Sequence, residues 1–201
     1  LAGIGHDLRT PLTRMKLQIA LLKDKSAVDS LTEDVSEMRG MIEAYLAFAK
    51  GEEEEKIRSI DLKEFIKKIL KRNNFDNRLE IKTFIKENDV IFVRPIAFNR
   101  VILNILSNAA QYANKKIHIS KDFHMKNNIL LIEDDGPGIP QNKRKDVFLA
   151  FHRLDKSRFS KYGRTGLGLT IAKNIIKGHG GDILLGKSNL GGLKVEVTFP
   201  A

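Results

Sequence analysis

His6-Asp7-Leu8-Arg9-Thr10-Pro11-Leu12-Thr13 opens a pattern in which apolar residues recur at Leu8, Leu12, Met15, Ile19 and Leu22, in steps of four and three. That spacing marks one stripe of a packed helix. His6 and Asp7 lie off the stripe, so the imidazole is expected to reach solvent, with a carboxylate next to it in sequence. A neutral imidazole nitrogen is a competent nucleophile near neutral pH, and a neighbouring carboxylate can take or hold the proton on the other nitrogen. Thr10 falls one turn after His6 and shares its face. Pro11 removes a backbone N–H, so the carbonyl of Asp7 loses its partner and the helix is expected to loosen around His6. Alone, the His-Asp pair also fits an exposed helix with an incidental histidine.

A second stripe runs Leu31, Val35, Met38, Ile42, Tyr45 and Ala49, again in steps of four and three. Joined through Lys23 to Asp29, the two stripes make a helical hairpin. One hairpin covers both seams poorly, so two copies pairing into a four-helix bundle is the economical solution, with a seam packed on the rest of the chain as the alternative. The acidic tract Glu52 to Glu55 marks a junction, giving units of 1–55 and 56–201. Beyond it helix and strand patterns alternate. Asp61 to Arg72 reads as a helix capped by Asp61, and Leu79 to Ile85 as a strand. Pro95 starts a longer helix through Tyr112. Strands are expected at Lys116 to Phe123, Asn128 to Asp134, Asp182 to Lys187 and Leu193 to Phe199, the last pair a hairpin with Leu193, Val195, Val197 and Phe199 on one face. The implied second unit is a mixed, largely antiparallel sheet with helices on one side.

The 201 residues are 42% apolar, which suffices for a core. The chain has no cysteine, so it carries neither disulfides nor a thiolate metal site. Its apolar runs fall far short of the ~20 residues of a membrane helix. Leu1 already sits in a running helical pattern, so a preceding segment is expected, and membrane attachment of an intact protein stays open. The formal net charge of +10 suits an anionic partner. Its spread, with no basic tract interleaved with aromatics, argues against direct nucleic-acid binding.

Several stretches of the second unit point to a nucleotide. In Asn104-Ile105-Leu106-Ser107-Asn108-Ala109-Ala110-Gln111-Tyr112 the asparagines are four apart and share a helix face. Their oxygens can ligate a hard cation such as Mg²⁺ beside phosphates, although such a pair can also simply tie down a loop. Asp134-Asp135-Gly136-Pro137-Gly138-Ile139-Pro140 follows a strand. Its glycines let the backbone approach a ligand, and a carboxylate at the strand end can accept a hydrogen bond from an exocyclic amine. A surface turn has the same composition. Gly163-Arg164-Thr165-Gly166-Leu167-Gly168-Leu169 leads into a helix from Thr170 to Lys177, placing free N–H groups and the positive dipole end where phosphates can sit. Between these stretches, Phe148, Phe151, Arg153, Lys156, Arg158 and Lys161 read as a basic lid over the nucleotide, or as a plain exposed loop.

Taken in order, these segments resemble the catalytic core of a sensor histidine kinase from a two-component system, over nearly the whole chain. His6 to Leu12 is similar to the phosphoacceptor box, in the HDLRTPLT form of osmosensor-type kinases. Asn104 to Tyr112 is similar to the N box, Asp134 to Gly138 to the G1 box, Phe148 to Phe151 to the F box and Gly163 to Leu169 to the G2 box. The resemblance implies an α+β fold, with a dimerising helical hairpin followed by an α/β sandwich ATP-binding domain of the histidine kinase, gyrase and Hsp90 type. It implies that His6 receives the γ-phosphoryl group of ATP, that Asp7 assists as base, and that Thr10 positions water when a phosphorylated partner is dephosphorylated. Asn104 and Asn108 would hold Mg²⁺, Tyr112 would line the base pocket and Asp134 would bind the adenine amine. Gly136, Gly138, Phe151, Arg158, Thr165, Gly166, Leu167 and Gly168 would complete the nucleotide site. The implied partners are a second copy of the chain and the receiver domain of a response regulator. The implied location is the cytoplasmic portion of a bacterial inner-membrane protein.

This chain departs from the family pattern at Gln111, where a basic residue is common near the phosphates, at Arg164, where glycine is usual, and at Gly5, which weakens its helix by ~1 kcal/mol relative to Ala. Gyrase- and Hsp90-type ATPases resemble the second unit too. They activate water with a glutamate where this chain has Asn104, and an amide cannot act as a base. A docking scaffold with a decayed nucleotide site is the remaining alternative.

Overall fold

The computed structural model describes residues 2–22, 24, 27–29, 31–32, 35, 38, 55–73, 75–150, 152 and 166–201, and for residues 2–9 and 16 the backbone alone. Helix α1 spans Ala2–Ile19 with Pro11 inside it. The expected loosening at Pro11 does not end the helix, because the ring removes a single backbone bond while the flanking turns keep theirs. Of the first stripe, Leu12 and Ile19 are buried and pack with Val35 and Val28 in a small cluster. Met15, Leu22, Leu31 and Met38 stay exposed within the single chain. Ile42, Tyr45 and Ala49 of the second stripe lie outside the described residues.

From Arg58 onward the elements build one core. Strand β1 is Arg58–Asp61, followed by α2 at Leu62–Arg72. The Asp61 carboxylate caps α2 by accepting the Glu64 N–H at 2.9 Å, satisfying one of the helix's orphan donors. Leu62, Ile66 and Ile69, in steps of four and three, are its buried face. Strands β2 (Glu80–Phe84) and β3 (Val90–Val93) precede α3 (Pro95–Tyr112), which buries Phe98, Val101, Ile102, Ile105 and Leu106. Then come β4 (Lys116–His124), β5 (Asn127–Asp134), short 3₁₀ turns at Gln141–Lys143 and Asp146–Phe148, α4 (Gly168–Gly178), β6 (Asp182–Lys187) and β7 (Leu193–Pro200).

The main sheet has the order β2-β4-β5-β7-β6. Only β2 and β4 pair in parallel, with Ile81 beside Ile117; the β4-β5, β5-β7 and β6-β7 pairs are antiparallel. A parallel pair needs a crossover, and here that crossover carries β3 and α3. The alternation along β7 puts Val195, Val197 and Phe199 into the core. They meet Ile117 and Ile119 of β4, Leu130 and Ile132 of β5, and the buried faces of α2, α3 and α4. Phe98 sits at the centre, 6.1 Å from the Phe65 ring and 5.3 Å from the Phe199 ring.

The expected helices and strands of the second unit are present with small end shifts, and α4 starts at Gly168 rather than Thr170. A separate two-stranded sheet, β1 with β3, was not anticipated. Its strands are four residues each, too short to show a period, and they pair across the intervening α2 and β2.

Candidate functional site

Asp134 ends β5 and is 3% exposed. Its Oδ1 accepts the Gly136 N–H at 2.9 Å and the Leu193 N–H at 3.1 Å. No described residue donates to Oδ2, so that oxygen is left for a ligand's donor. Burial pushes the carboxyl above the usual carboxylate range; the Leu193 and Gly136 N–H groups oppose this and the Asp135 charge adds to it. Asp135 does the opposite work. Although partial burial raises it, N–H donors from Lys115, Lys116 and Asn114 prevail and hold it low. The Asn114 and Lys115 N–H groups lie 2.9 and 3.0 Å from its Oδ1, so Asp135 fastens the start of β4 to this loop while Asp134 is turned inward.

The loop needs its glycines for close approach. A Cβ on Gly136 would strike the Tyr112 carbonyl, with the carbonyl carbon at 2.9 Å, so the loop lies directly against the C-terminal end of α3. Gly138 has a φ of 69°, a left-handed conformation that favours glycine. Gly192, in the β6-β7 turn, is equally tight: a Cβ there would strike Asp134 Oδ1 and lie 2.5 Å from Gly136 N. Sequence analysis does not single out Gly192, because its contact with Asp134 is made across the sheet.

Helix α3 is the rail of the site. From Tyr112, beside Gly136, the same face runs back through Gln111 and Asn108 to Asn104. At 1.5 Å per residue, Asn104 and Tyr112 are about 12 Å apart along the axis. Asn104 meets the start of α4, where a Cβ on Gly168 would lie 3.4 Å from Asn104 Oδ1. Leu167, the N-cap of α4, provides no side-chain cap, and no other described side chain caps that helix, so among the described residues its first N–H groups are open to an anion. Gly166, with a φ of 66°, turns the chain into it. The described flank of the preceding connection is also fixed on α4: Thr170 Oγ1 donates to the Phe148 carbonyl at 2.8 Å, and Lys173 Nζ lies 4.2 Å from the Phe148 ring centroid.

The residues therefore form a trough with a buried acceptor at one end, amide side chains along the floor and an uncapped helix N-terminus at the other. Its donors and acceptors fit a nucleoside triphosphate. Gln111 adds an independent sign of a ligand, since its Oε1 is buried with no hydrogen-bond partner among the described residues and buried acceptors are normally satisfied. Among the described residues no group of three or more His, Asp or Glu side chains could hold a metal. A cation here would rely on amide and phosphate oxygens.

Asn104, Asn108, Tyr112, Asp134, Gly136, Gly138, Gly166, Leu167 and Gly168 thus belong to one region. Tyr112 is 45% exposed. Phe151, Arg158 and Thr165 lie outside the described residues, as does the lid expected around them. His6 and Asp7 lie on α1, where only the backbone is described, and Thr10 is exposed on the same helix.

Residues 93–201, more than half of the chain, match the family model for histidine kinase-, DNA gyrase B- and HSP90-like ATPases, and the chain belongs to that family. ATP, normally with Mg²⁺, is the family's cofactor. Residues 1–54 match the family model for the His Kinase A (phospho-acceptor) domain. Sensor histidine kinase GtrS of Pseudomonas aeruginosa is 32% identical over 200 residues, covering 99% of this chain and 41% of the relative. The chain spans less than half the length of the curated relatives it matches. In fold it is similar to Acinetobacter baumannii histidine kinase AdeS, with a TM-score of 0.69, 24% identity and 97% of each chain covered. Full-length ShkA in complex with AMPPNP gives a TM-score of 0.74 at 20% identity, covering 98% of this chain and 44% of that one.

Proposed function

We propose that this chain transfers the γ-phosphoryl group of ATP to His6 and then to an aspartate on the receiver domain of a response regulator. The observation that carries the nucleotide half is the trough along α3, where Asp134, the asparagine face and the uncapped start of α4 line up in the order adenine, cation, phosphates. Asp134 Oδ2 accepts from the exocyclic amine of adenine. Asn104 and Asn108 would hold Mg²⁺ through their oxygens, where it would supply positive charge beside the phosphates. The N–H groups at Gly168 and after it bind the phosphates.

In the transfer a neutral imidazole nitrogen of His6 bonds to the γ-phosphorus. The bond from that phosphorus to the β–γ bridging oxygen breaks, ADP leaves, and Asp7 takes or holds the proton of the second ring nitrogen. The site's work is positioning and charge neutralisation, since a loose phosphoryl transition state asks for little else. Thr10 positions water for the reverse task, dephosphorylation of the regulator. Met15, Leu22, Leu31 and Met38, apolar and exposed in the single chain, support pairing of two hairpins into a four-helix bundle. The boundary is proposed near residue 55, because Leu62 and Ile66 already belong to the core of the second unit. For an intact protein we propose attachment to a bacterial inner membrane, with this portion in the cytoplasm.

The test is incubation with γ-labelled ATP and Mg²⁺. Label that is acid-labile, stable to base and absent from His6→Gln is expected. Label persisting in that variant would overturn the assignment of His6. Thr10→Ala is expected to retain labelling and lose regulator dephosphorylation.

A further inference from the structure

The junction between the two units is built in a way that neither the family motifs nor the nucleotide site explain. Helix α3 begins at Pro95 with Arg94 as its N-cap, and Arg94 supplies no side-chain cap. The cap comes instead from Glu55, 40 residues earlier in the chain: its Oε1 accepts the Ile96 N–H at 2.7 Å and its Oε2 the Ala97 N–H at 3.0 Å. A carboxylate there satisfies orphan donors and faces the positive end of the helix dipole.

Arg94, freed from capping, closes the other side. Its Nε donates to the Glu55 carbonyl at 3.1 Å and its Nη1 to the Gly178 carbonyl, at the C-terminus of α4, at 3.1 Å. Its backbone N–H donates to His179 Nε2 at 3.0 Å, while His179 Nδ1 lies 2.8 Å from the Ile175 carbonyl. With Nε2 accepting, the Nδ1 proton goes to Ile175. The chain at residue 55 is thereby stapled by side chain and backbone to the adjoining ends of α3 and α4. The second half of α3, from Asn104 to Tyr112, and the start of α4 at Gly168 form the trough.

We propose that Glu55 is a positioning residue for phosphoryl transfer. Pinned by Arg94 and the start of α3, it makes residues 55 to 57 part of the ATP-binding unit and fixes the point at which the chain leading back to His6 joins that unit. This rests on the reading of His6 as acceptor. Without the staple the joining point would shift to Arg58, where β1 begins, three residues or up to about 10 Å further along the chain. The effective concentration of a linked group is set by the length and stiffness of its link, so by fixing where the link joins, the staple sets how often the bound nucleotide meets His6. It does so without touching the nucleotide.

The experiment compares the 201-residue chain with its Glu55→Ala and Glu55→Gln variants. ATP affinity is measured by calorimetry, His6 labelling at saturating Mg²⁺-ATP, and tryptic cleavage after Lys56 and Arg58. Glu55→Ala is expected to cleave faster and to lose labelling rate at saturation, with ATP affinity within about twofold of the parent. Glu55→Gln, which keeps a neutral acceptor, should fall between. Faster cleavage with an unchanged saturated rate overturns the proposal. So does a loss of ATP affinity that parallels the loss of labelling, since that is the behaviour of a simple helix cap. If Glu55→Ala does not fold, the same criteria apply to Glu55→Gln. A parent chain that binds ATP and never labels His6 overturns the functional reading instead.

Discussion

Replacing Asp134 by Asn and by Ala separates its structural work from its binding work. Oδ1 holds two N–H groups, from Gly136 at 2.9 Å and Leu193 at 3.1 Å. Ala removes the acceptor for both. A buried donor left unpaired costs ~1–3 kcal/mol, so the Ala variant is expected to lose ~2–6 kcal/mol, a large share of the 5–15 kcal/mol that holds a typical domain. Asn keeps an oxygen toward those donors and places its NH₂ group where Oδ2 was. Facing the adenine amine, that arrangement sets donor against donor and forfeits a charge-assisted hydrogen bond worth ~1.5–3 kcal/mol, which is about 10- to 150-fold in Kd. Urea denaturation followed by circular dichroism reads the first effect, and calorimetry with ATP near neutral pH reads the second. An Asn variant with the parent's ATP affinity, or an Ala variant as stable as the parent, would refute the reasoning. Acid adds a further check. Because burial raises the folded-state pKa of Asp134, its contribution to stability is complete below the unfolded value and is lost as pH rises through the folded one. ATP binding runs the other way, because it needs the ionised acceptor. Affinity is expected to weaken on acidification from a higher pH than an ordinary carboxylate would give, and Asp134→Asn should flatten that dependence.

Gly136→Ala drives a methyl group into the Tyr112 carbonyl; backbone yields poorly, so a loss of ~1–3 kcal/mol together with weakened ATP binding is expected from thermal melts and calorimetry. Phe98→Ala, at a fully buried position between Phe65 and Phe199, should cost ~3–5 kcal/mol in urea. Asp61→Ala removes the α2 cap and should cost about 1 kcal/mol, leaving ATP affinity unchanged because α2 does not line the trough.

Local chemistry by itself determined most of the elements and many members of the site. Asp61 as a cap, Pro95 at a first helical turn and the alternation along β7 act within a few residues, so each was legible in order along the chain. The same holds for the shared face of Asn104 and Asn108, which follows from the helical repeat alone. The β1-β3 ribbon was not legible, because four-residue strands show no period and owe their existence to partners beyond α2. Gly192 carries no local signal, because only the sheet brings it against Asp134. Glu55 was one of four successive glutamates, indistinguishable by composition. Only the tertiary structure singles it out, by setting the uncapped start of α3 beside the end of α4 and so creating the donors its carboxylate satisfies.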